Sequence, residues 1–434
     1  MYTRLEQAIG DILKAHPILD KKAFDNGIVW WGNSLCCGGV EKQLVETAKR
    51  VFSHKISLSF LANNLDENRG NAFFYSAAAP YFSTVSAITE KKFFTQKYAS
   101  ILSHILPRLE HMPNYMRTTL GDCCLALLHV RPKIFQIWNA DYPHIALAAA
   151  IAGVPNIIVA ARSMSPEMRY PFGFEGPDDK LCHTIYKKIL ESRTLYFTAN
   201  SRAGCLAYER WLGLGPGSVV YTPNVFEPLQ EGEVCITRAM HLKLELGIPA
   251  SAKVIAGLMR FVSIKDPALW VNTVARVLFE KADVYAVIAG DGPLLDAVAE
   301  GIANLGLADR FLCPGVIENT TDFLEMADIV LLTSHVEGLP NVLIEAQRQG
   351  VPVVTTNAGG VHDIVVHGET GFVVEERNPF VIAKYLGWIL DNEEWYAAAK
   401  VKAASHIRNT FESESALENL MALYTKINLP PLPR

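Results

Sequence analysis

The chain has 434 residues, of which half are apolar and a fifth are charged, and its formal net charge is -5. This length exceeds what one hydrophobic core usually supports, so two domains of roughly 200 residues each are expected. The small negative charge creates no field that would attract polyanions, which argues against nucleic acid as a partner.

The sequence predicts neither a secreted nor a membrane-spanning protein. Met1 to Gln7 contain no basic segment followed by an apolar one, so no secretory signal is predicted and a cytoplasmic location is expected. The most apolar stretch, Ile145 to Ala161, is interrupted by Gly153 and Pro155 and predicts a helix followed by a strand. The eight cysteines lack Cys-x-x-Cys spacing, which predicts reduced, mostly buried thiols.

The first half of the chain alternates short apolar runs with amphipathic segments, the pattern of parallel strands joined by crossover helices. Helices are predicted for Val40 to Phe52 and His144 to Ala152, and another begins at Asn200-Ser201. The predicted strands are 27–31, 134–138, 157–161 and 195–198.

A second alternation follows the stretch Glu227 to Glu233, whose proline, glycine and glutamates predict a linker. Its strands are predicted at 253–257, 284–289, 310–313, 329–333 and 352–355, and helices are predicted after Phe372 as far as Lys426. We therefore predict a doubly wound α/β domain over residues 1–228 and a second over 229–405. Residues 406–434, a helix with the proline-rich tail Leu429 to Arg434, are expected to cross back to the first domain.

The segment Ile88 to Arg117 places lysines and arginines among aromatic and aliphatic residues. Two interpretations remain open. The segment is either a pair of helices packed on the core with a solvated basic face, or a surface that contacts a membrane. The second would place the protein at the inner face of the cytoplasmic membrane.

The most informative stretch runs from Ser334 to Gly360 and predicts a strand, a loop, a helix and another strand in quick succession. Pro340 suits the first turn of a helix, because its missing amide would be unpaired there in any case. A helix N-terminus offers amide donors and a favourable dipole to an anion such as a diphosphate. Glu337 precedes this end and Glu345 lies about one turn inside, where a carboxylate can accept hydrogen bonds from ribose hydroxyls. In an ordinary doubly wound domain the same residues would be helix caps.

This stretch resembles the E-x7-E element of family-4 glycosyltransferases, which retain anomeric configuration. Their GT-B fold has two Rossmann-like doubly wound domains facing across a cleft. In that family the first glutamate contacts the transferred sugar, the following loop contacts sugar and phosphate, and the second glutamate holds the ribose. The resemblance implies a catalytic role for Glu337 and donor contacts from Gly338, Leu339, Pro340, Asn341, Val342 and Glu345.

Arg260 and Lys265 follow the predicted strand 253–257, where the family keeps a basic pair for the diphosphate. An arginine and a lysine there can neutralise the charge that develops on the leaving diphosphate, although a solvated loop pair would look the same. The common family version has glycine before the arginine and after the lysine, and here Met259 and Asp266 stand in those places. This form is similar to that of a subgroup of the family associated with bacterial capsule and surface-polysaccharide synthesis.

Two further segments resemble conserved parts of the family's sequence. Gly290 to Pro293 close a strand, and are interpreted equally well as a tight turn or as part of the site. Val316 follows another predicted strand, where the family's backbone meets the nucleotide base.

The first half carries weaker signals. Gly38 and Gly39 follow the first predicted strand in a Gly-Gly-x-Glu element, and glycines there permit a donor to approach the backbone closely. Asp141 stands in the loop where many relatives have a histidine, and is either a catalytic contact to sugar or acceptor or a helix cap before Pro143. Arg162, which ends the next predicted strand, resembles the capsule subgroup and could bind an anionic group.

The resemblance implies a hexosyltransferase that moves a sugar from a nucleotide diphosphate sugar, expected to be a UDP-sugar, to a glycan or lipid-linked acceptor. No Asp-x-Asp pair occurs in the sequence, so no cofactor and no metal are expected. A nucleotide-sugar epimerase of the same fold and a non-catalytic nucleotide-sugar-binding protein are the alternatives.

Overall fold

The computed structural model describes residues 2–15, 18–19, 21–36, 38–66, 70–172, 178–229 and 236–427. Cys37, positions 230–233 of the predicted linker and the proline-rich tail lie outside these residues. The chain divides into two compact units. The first comprises Met1–Glu167, Glu175–Phe226 and Glu414–Arg434, and the second comprises Met168–Phe174 and Glu227–Ser413.

The first unit is built on a parallel sheet of seven strands in the order β3-β2-β1-β4-β5-β6-β7. The strands are β1 (Ile28–Gly32), β2 (Leu58–Ala62), β3 (Thr84–Ala87), β4 (Ile134–Ile137), β5 (Asn156–Ala161), β6 (Leu195–Ala199) and β7 (Val219–Tyr221). The helices up to residue 226 are α1 (Tyr2–Ala15), α2 (Gly39–Ser53), α3 (Tyr75–Ala78), α4 (Gln96–Ile105), α5 (Asn114–Val130), α6 (Pro143–Ala152), α7 (Pro166–Arg169), α8 (Asp179–Ser192) and α9 (Arg202–Leu212).

Local sequence explains the best-defined of these elements. The strand β1 reads Ile-Val-Trp-Trp-Gly and is buried along its whole length, as expected for a strand covered on both faces. Every residue of α6 is buried, so this alanine-rich helix has no polar face and belongs to the core. Ser201 caps α9 by accepting a hydrogen bond from the amide of Gly204. In the described part of the chain, no helix has both the length and the apolar character needed to cross a membrane.

The second unit contains a parallel sheet of six strands in the order β10-β9-β8-β11-β12-β13. The strands are β8 (Lys253–Leu258), β9 (Val284–Ala289), β10 (Phe311–Gly315), β11 (Ile329–Leu332), β12 (Val353–Thr356) and β13 (Gly371–Val374). The helices are α10 (Ile236–Glu245), α11 (Pro267–Glu280), α12 (Leu295–Asn304), α13 (Thr320–Glu325), α14 (Asn341–Arg348), α15 (Pro379–Asp391) and α16 (Glu393–Thr410). Both units are therefore doubly wound Rossmann-like domains, as predicted.

The chain returns to the first unit at Glu414, and the last described helix is α17 (Ser415–Lys426). The boundary predicted at 405/406 falls inside α16, which continues to Thr410 because no glycine or proline interrupts it. Tyr424 anchors α17 in the first unit: its buried hydroxyl accepts a hydrogen bond from Trp30 Nε1 at 3.0 Å and donates one to Gln136 Oε1 at 2.5 Å.

The basic segment 88–117 packs against the core of the first unit. Phe93, Leu102 and Ile105 are buried, whereas Phe94 and Tyr115 are exposed. The side chains of its lysines lie at the surface. This is the core-packed arrangement that the sequence allowed, and membrane contact by the exposed side stays a prediction.

Candidate functional site

The predicted donor residues cluster at the switch point of the second sheet. Strand order reverses between β8 and β11, which are neighbours, and ligands of open α/β sheets bind beyond the carboxyl ends of strands at such a point. Arg260 and Lys265 lie in the loop after β8, and Glu337 lies in the loop after β11. The fold thus brings together two loops that are separated by about seventy residues.

Glu337 is held at this point by four groups. Its carboxylate forms an ion pair with Lys265 Nζ and accepts a hydrogen bond from Ser334 Oγ at 2.6 Å. Its backbone amide donates to the carbonyl of Ala358 at 2.6 Å, and its carbonyl accepts from the amide of Gly360. Only 9% of Glu337 is exposed. The ion pair and the hydrogen bonds therefore fix the carboxylate in direction, with its remaining lone pairs available to hydroxyl donors.

Arg260 is exposed and, among the described residues, no carboxylate pairs with it. Its loop is positioned by Gly290 and Gly292, which both have positive φ. A Cβ on Gly290 would lie 1.8 Å from the carbonyl oxygen of Met259, and one on Gly292 would lie 2.6 Å from that of Phe261. The Gly290 to Pro293 turn thus has a structural task, which is to let the Arg260 loop pack closely on it.

Asp266 and Arg377 connect the two loops. Asp266 has a φ of +48°, a conformation that glycine adopts freely and that a short polar residue tolerates. Its carboxylate caps α11 at the amide of Leu269 and accepts a hydrogen bond from Arg377 at 2.6 Å. Arg377 also donates to the carbonyls of Thr333 and Ser334, both at 2.8 Å. Sequence analysis missed Arg377, because nothing in its local pattern marks it.

His335 adjoins the same network. Its Nε2 lies 3.4 Å from Asp266 Oδ2, and its ring stacks on Phe172 with 4.1 Å between the ring centroids. Burial and the neighbouring Arg377 lower the pKa of His335, and Asp266 opposes them. The imidazole is therefore neutral at pH 7, which keeps a further positive charge away from Arg377.

The helix α14 begins at Asn341, and Pro340 is its cap rather than its first residue, a correction of one position to the prediction. Pro340 makes no side-chain cap hydrogen bond, so the helix end is formed by backbone. Glu345 lies in the middle of α14 and is only 9% exposed. Gly338, Leu339 and Pro340 are buried, whereas Asn341 and Val342 are half-buried.

Val316 lies apart from this cluster. It follows β10, which is separated from β8 by β9, and 68% of it is exposed. Its predicted contact with a nucleotide base stays a prediction.

In the first unit, the predicted residues flank the other switch point, between β1 and β4. Gly38 caps α2, and Gly39 is the first residue of that helix. A Cβ on Gly38 would lie 2.3 Å from a carboxylate oxygen of Glu41, whose pKa is raised by burial. Asp141 precedes Tyr142, which is the cap of α6, so Asp141 itself does not occupy the cap position.

Within the described residues, no cluster of three or more histidine, cysteine or acidic side chains could hold a metal ion. The charged groups available at the second switch point are therefore the side chains described above.

Residues 242–406 match the family model described as glycosyl transferases group 1. The matched residues lie within the second unit. Arg260, Lys265, Val316, Glu337 and Glu345 all lie inside the matched residues.

The chain is also similar to two curated proteins. The chain is 32% identical over 275 residues to the Vi polysaccharide biosynthesis protein VipC/TviE of Salmonella typhi, which is 62% of this chain and 46% of that protein. It is 30% identical over 183 residues to the N-acetyl-alpha-D-glucosaminyl L-malate synthase of Bacillus anthracis, or 42% of this chain and 48% of the relative. The matches span about half the length of these curated relatives.

Solved structures align with the chain over most of its length. HepE of Anabaena, in complex with UDP and glucose, aligns with a TM-score of 0.70 at 17% identity and covers 92% of this chain and 99% of that one. The sucrose-phosphate synthase of Thermosynechococcus elongatus aligns with a TM-score of 0.70 at 16% identity, over 93% of this chain and 99% of its own. The fold is therefore the predicted GT-B class of two Rossmann-like domains.

Proposed function

We propose that the chain is a retaining glycosyltransferase that moves a sugar from a nucleotide diphosphate sugar to a glycan or lipid-linked acceptor in polysaccharide biosynthesis. The observation that carries the proposal is the convergence of Lys265, Glu337 and the Arg260 loop at the switch point of the second sheet. Binding of UDP by HepE and the polysaccharide role in the name of the Salmonella relative support a UDP-sugar donor and a polysaccharide product.

In this proposal the donor diphosphate lies against Arg260, Lys265 and the N-terminus of α14. Positive charge there stabilises the leaving diphosphate without a metal ion. Glu337 binds hydroxyls of the transferred sugar, and Glu345 binds those of the ribose. Because Glu337 is paired with Lys265, we assign it the role of accepting hydrogen bonds from the sugar and not the role of an acid.

The chemical step needs no protein nucleophile. The acceptor oxygen forms a bond to the anomeric carbon on the face from which the diphosphate leaves, and the bonding electrons depart with the phosphate oxygen. That oxygen takes the acceptor's hydroxyl proton. The protein supplies orientation and charge stabilisation.

Turnover of the full chain with a panel of nucleotide sugars tests the proposal, with release of the nucleoside diphosphate as the readout. Arg260→Ala should lower kcat/KM by about a hundredfold or more, as expected for loss of a group that stabilises developing charge. Arg408→Ala is the matched control, because Arg408 is exposed in α16 of the same unit. Activity should survive a metal chelator.

Donor binding that is unchanged in Arg260→Ala and Glu345→Ala would refute the assignment of these residues. Sugar conversion without any acceptor would identify an epimerase instead. Binding without turnover for every donor and acceptor tried would favour a non-catalytic protein.

We also propose that the protein works at the inner face of the cytoplasmic membrane through the exposed side of the basic segment, including Phe94, Lys97 and Tyr115. Flotation with anionic liposomes tests this. Absence of binding by the pure chain would refute it and would leave the transferase proposal intact.

A further inference from the structure

Four neighbouring strands of the first sheet end in a cluster of polar side chains that the donor site does not use. Trp138 follows β4, Arg162 follows β5, Asn200 follows β6, and Asn224 lies shortly after β7. Because the strands are parallel, these residues lie along one edge of the sheet, at the carboxyl ends where α/β folds bind ligands.

Arg162 is the centre of this cluster and is held in one orientation. Its guanidinium donates a hydrogen bond to Asn224 Oδ1 and stands over the ring of Trp138, 5.1 Å from the centroid. Asn200 Nδ2 donates at 3.3 Å both to the carbonyl of Arg162 and to Asn224 Oδ1. The two asparagines and the tryptophan thus fix the side chain and the backbone of Arg162.

The cluster lacks a negative charge. Among the described residues, no carboxylate forms an ion pair with Arg162. Burial lowers the pKa of its guanidinium to about 9, so it stays protonated at neutral pH although its charge is poorly solvated. A guanidinium that is poorly solvated and has no carboxylate partner is a favourable position for an anionic ligand, which would supply the counter-charge.

A donor group beside Arg162 is also unsatisfied. Trp138 Nε1 is buried and has no hydrogen-bond partner among the described residues. Only 2% of Trp138 is exposed. A cavity of about 10 Å³, lined by Gln136, Trp138 and Arg162, has room for one water molecule. A sugar does not fit there, so a ligand must approach Arg162 from its half-exposed side.

We infer that Arg162, presented by Asn224 and Trp138, is a binding site for an oxyanion of the acceptor, a carboxylate or a phosphate group. The oxyanion would take the two-pronged donor of the guanidinium and provide the missing charge. Its assignment to the acceptor rests on the proposed function, because the donor residues lie in the second unit. The anion site itself does not depend on that assignment.

Calorimetric titration of the full chain tests the site directly, with three probes. Methyl glucuronoside carries a carboxylate, inorganic phosphate carries the alternative oxyanion, and methyl glucoside is the neutral reference. The wild-type chain should bind one of the two anions more tightly than the neutral sugar, and the better one identifies the source. Arg162→Gln, which keeps an amide donor for Asn224, should weaken that binding by about tenfold to a hundredfold.

Two further variants separate this site from the donor site and from a structural role. Arg260→Gln should keep the binding that Arg162→Gln loses, whereas Arg162→Gln should keep UDP binding. Arg210→Gln is the matched control, since Arg210 is exposed at the end of α9. If Arg162→Gln fails to fold, Arg162→Lys carries the test, because it keeps the charge and loses the planar two-pronged donor.

Equal anion affinity of wild type and of the folded Arg162 variants would overturn the inference, and so would equal affinity of the wild-type chain for the neutral and anionic probes. Failure of the wild-type chain to bind UDP would instead overturn the proposed donor chemistry and leave the anion result to stand by itself.

Discussion

Replacing Arg377 with alanine removes the side chain that joins the two loops of the candidate donor site. Three hydrogen bonds are lost, two to backbone carbonyls after β11 and one to the Asp266 carboxylate. Bonds to charged groups contribute about 1.5–3 kcal/mol each when fully buried. Arg377 is 29% exposed, so water replaces part of this, and we expect a loss of about 2 kcal/mol in unfolding free energy.

The larger effect should be on catalysis. Arg377 fixes Asp266, which adjoins Lys265, and it fixes Ser334, whose hydroxyl bonds to Glu337. A displacement of about 1 Å in a catalytic group can lower the rate a hundredfold. Steady-state kinetics should therefore show kcat/KM reduced by about that factor at a temperature where the variant is folded.

A double-mutant cycle with Asp266→Asn checks the physical reason. Asparagine can still cap α11 and adopt the positive φ of this position, and it lacks the charge. The coupling between the two substitutions should be about 1 kcal/mol or more. If Arg377→Ala lowers stability but leaves kcat/KM at the wild-type value, other contacts fix the two loops and our reasoning is wrong.

Three further changes test the described structure. Tyr424→Phe leaves two buried polar groups without a partner and should lower the unfolding free energy by about 1–3 kcal/mol in denaturant titration; an unchanged midpoint would contradict the role of α17 as an anchored helix. Gly290→Ala should weaken UDP binding and stability more than Gly306→Ala. Both glycines have positive φ, but of the two only Gly290 has a backbone oxygen in the place of the new Cβ. Similar losses in the two variants would argue against close packing of the Arg260 loop. Burial lowers the pKa of His144 to about 4, so the unfolded chain binds a proton more readily and the unfolding free energy falls as the pH drops from 6.5 toward 4. His144→Gln should reduce this acid-induced loss by about 3 kcal/mol. Parallel profiles of unfolding free energy against pH for the two proteins would refute it.

Sequence patterns predicted the central strands better than the outer ones. The strands β1, β4 and β8 are mostly apolar because both faces are covered, and this run is visible without a structure. The edge strand β3 has the sequence Thr-Val-Ser-Ala and is half exposed, and β7 has only three residues, so neither has an apolar run to detect. The predictions named neither strand. They also missed β2 and β13 although both are largely apolar, and the helices expected after Phe372 begin only beyond β13.

The same contrast holds at the site. Glu337 and Lys265 were predicted because each belongs to a short sequence motif that can be recognised locally. The fold places the loops that carry them after adjacent strands. Arg377 lies 111 residues after the carboxylate that it binds, and a lone arginine before a helix carries no local signal. Such a contact follows from the topology of the sheet, which brings the segment after β13 toward the end of β11.

The net charge of the chain is -5, so an anionic ligand can be attracted only where basic side chains are locally exposed or concentrated. Arg260 stands exposed at one sheet edge, with glycines behind its loop that permit close packing. Arg162 stands at the carboxyl edge of the other sheet, held by asparagines and a tryptophan, with its charge poorly solvated. Solvent and salt screen a charge more strongly the more exposed it is, so the exposed Arg260 is screened more than the half-exposed Arg162. We therefore expect the proposed diphosphate contact at Arg260 to be more sensitive to salt than the proposed anion contact at Arg162.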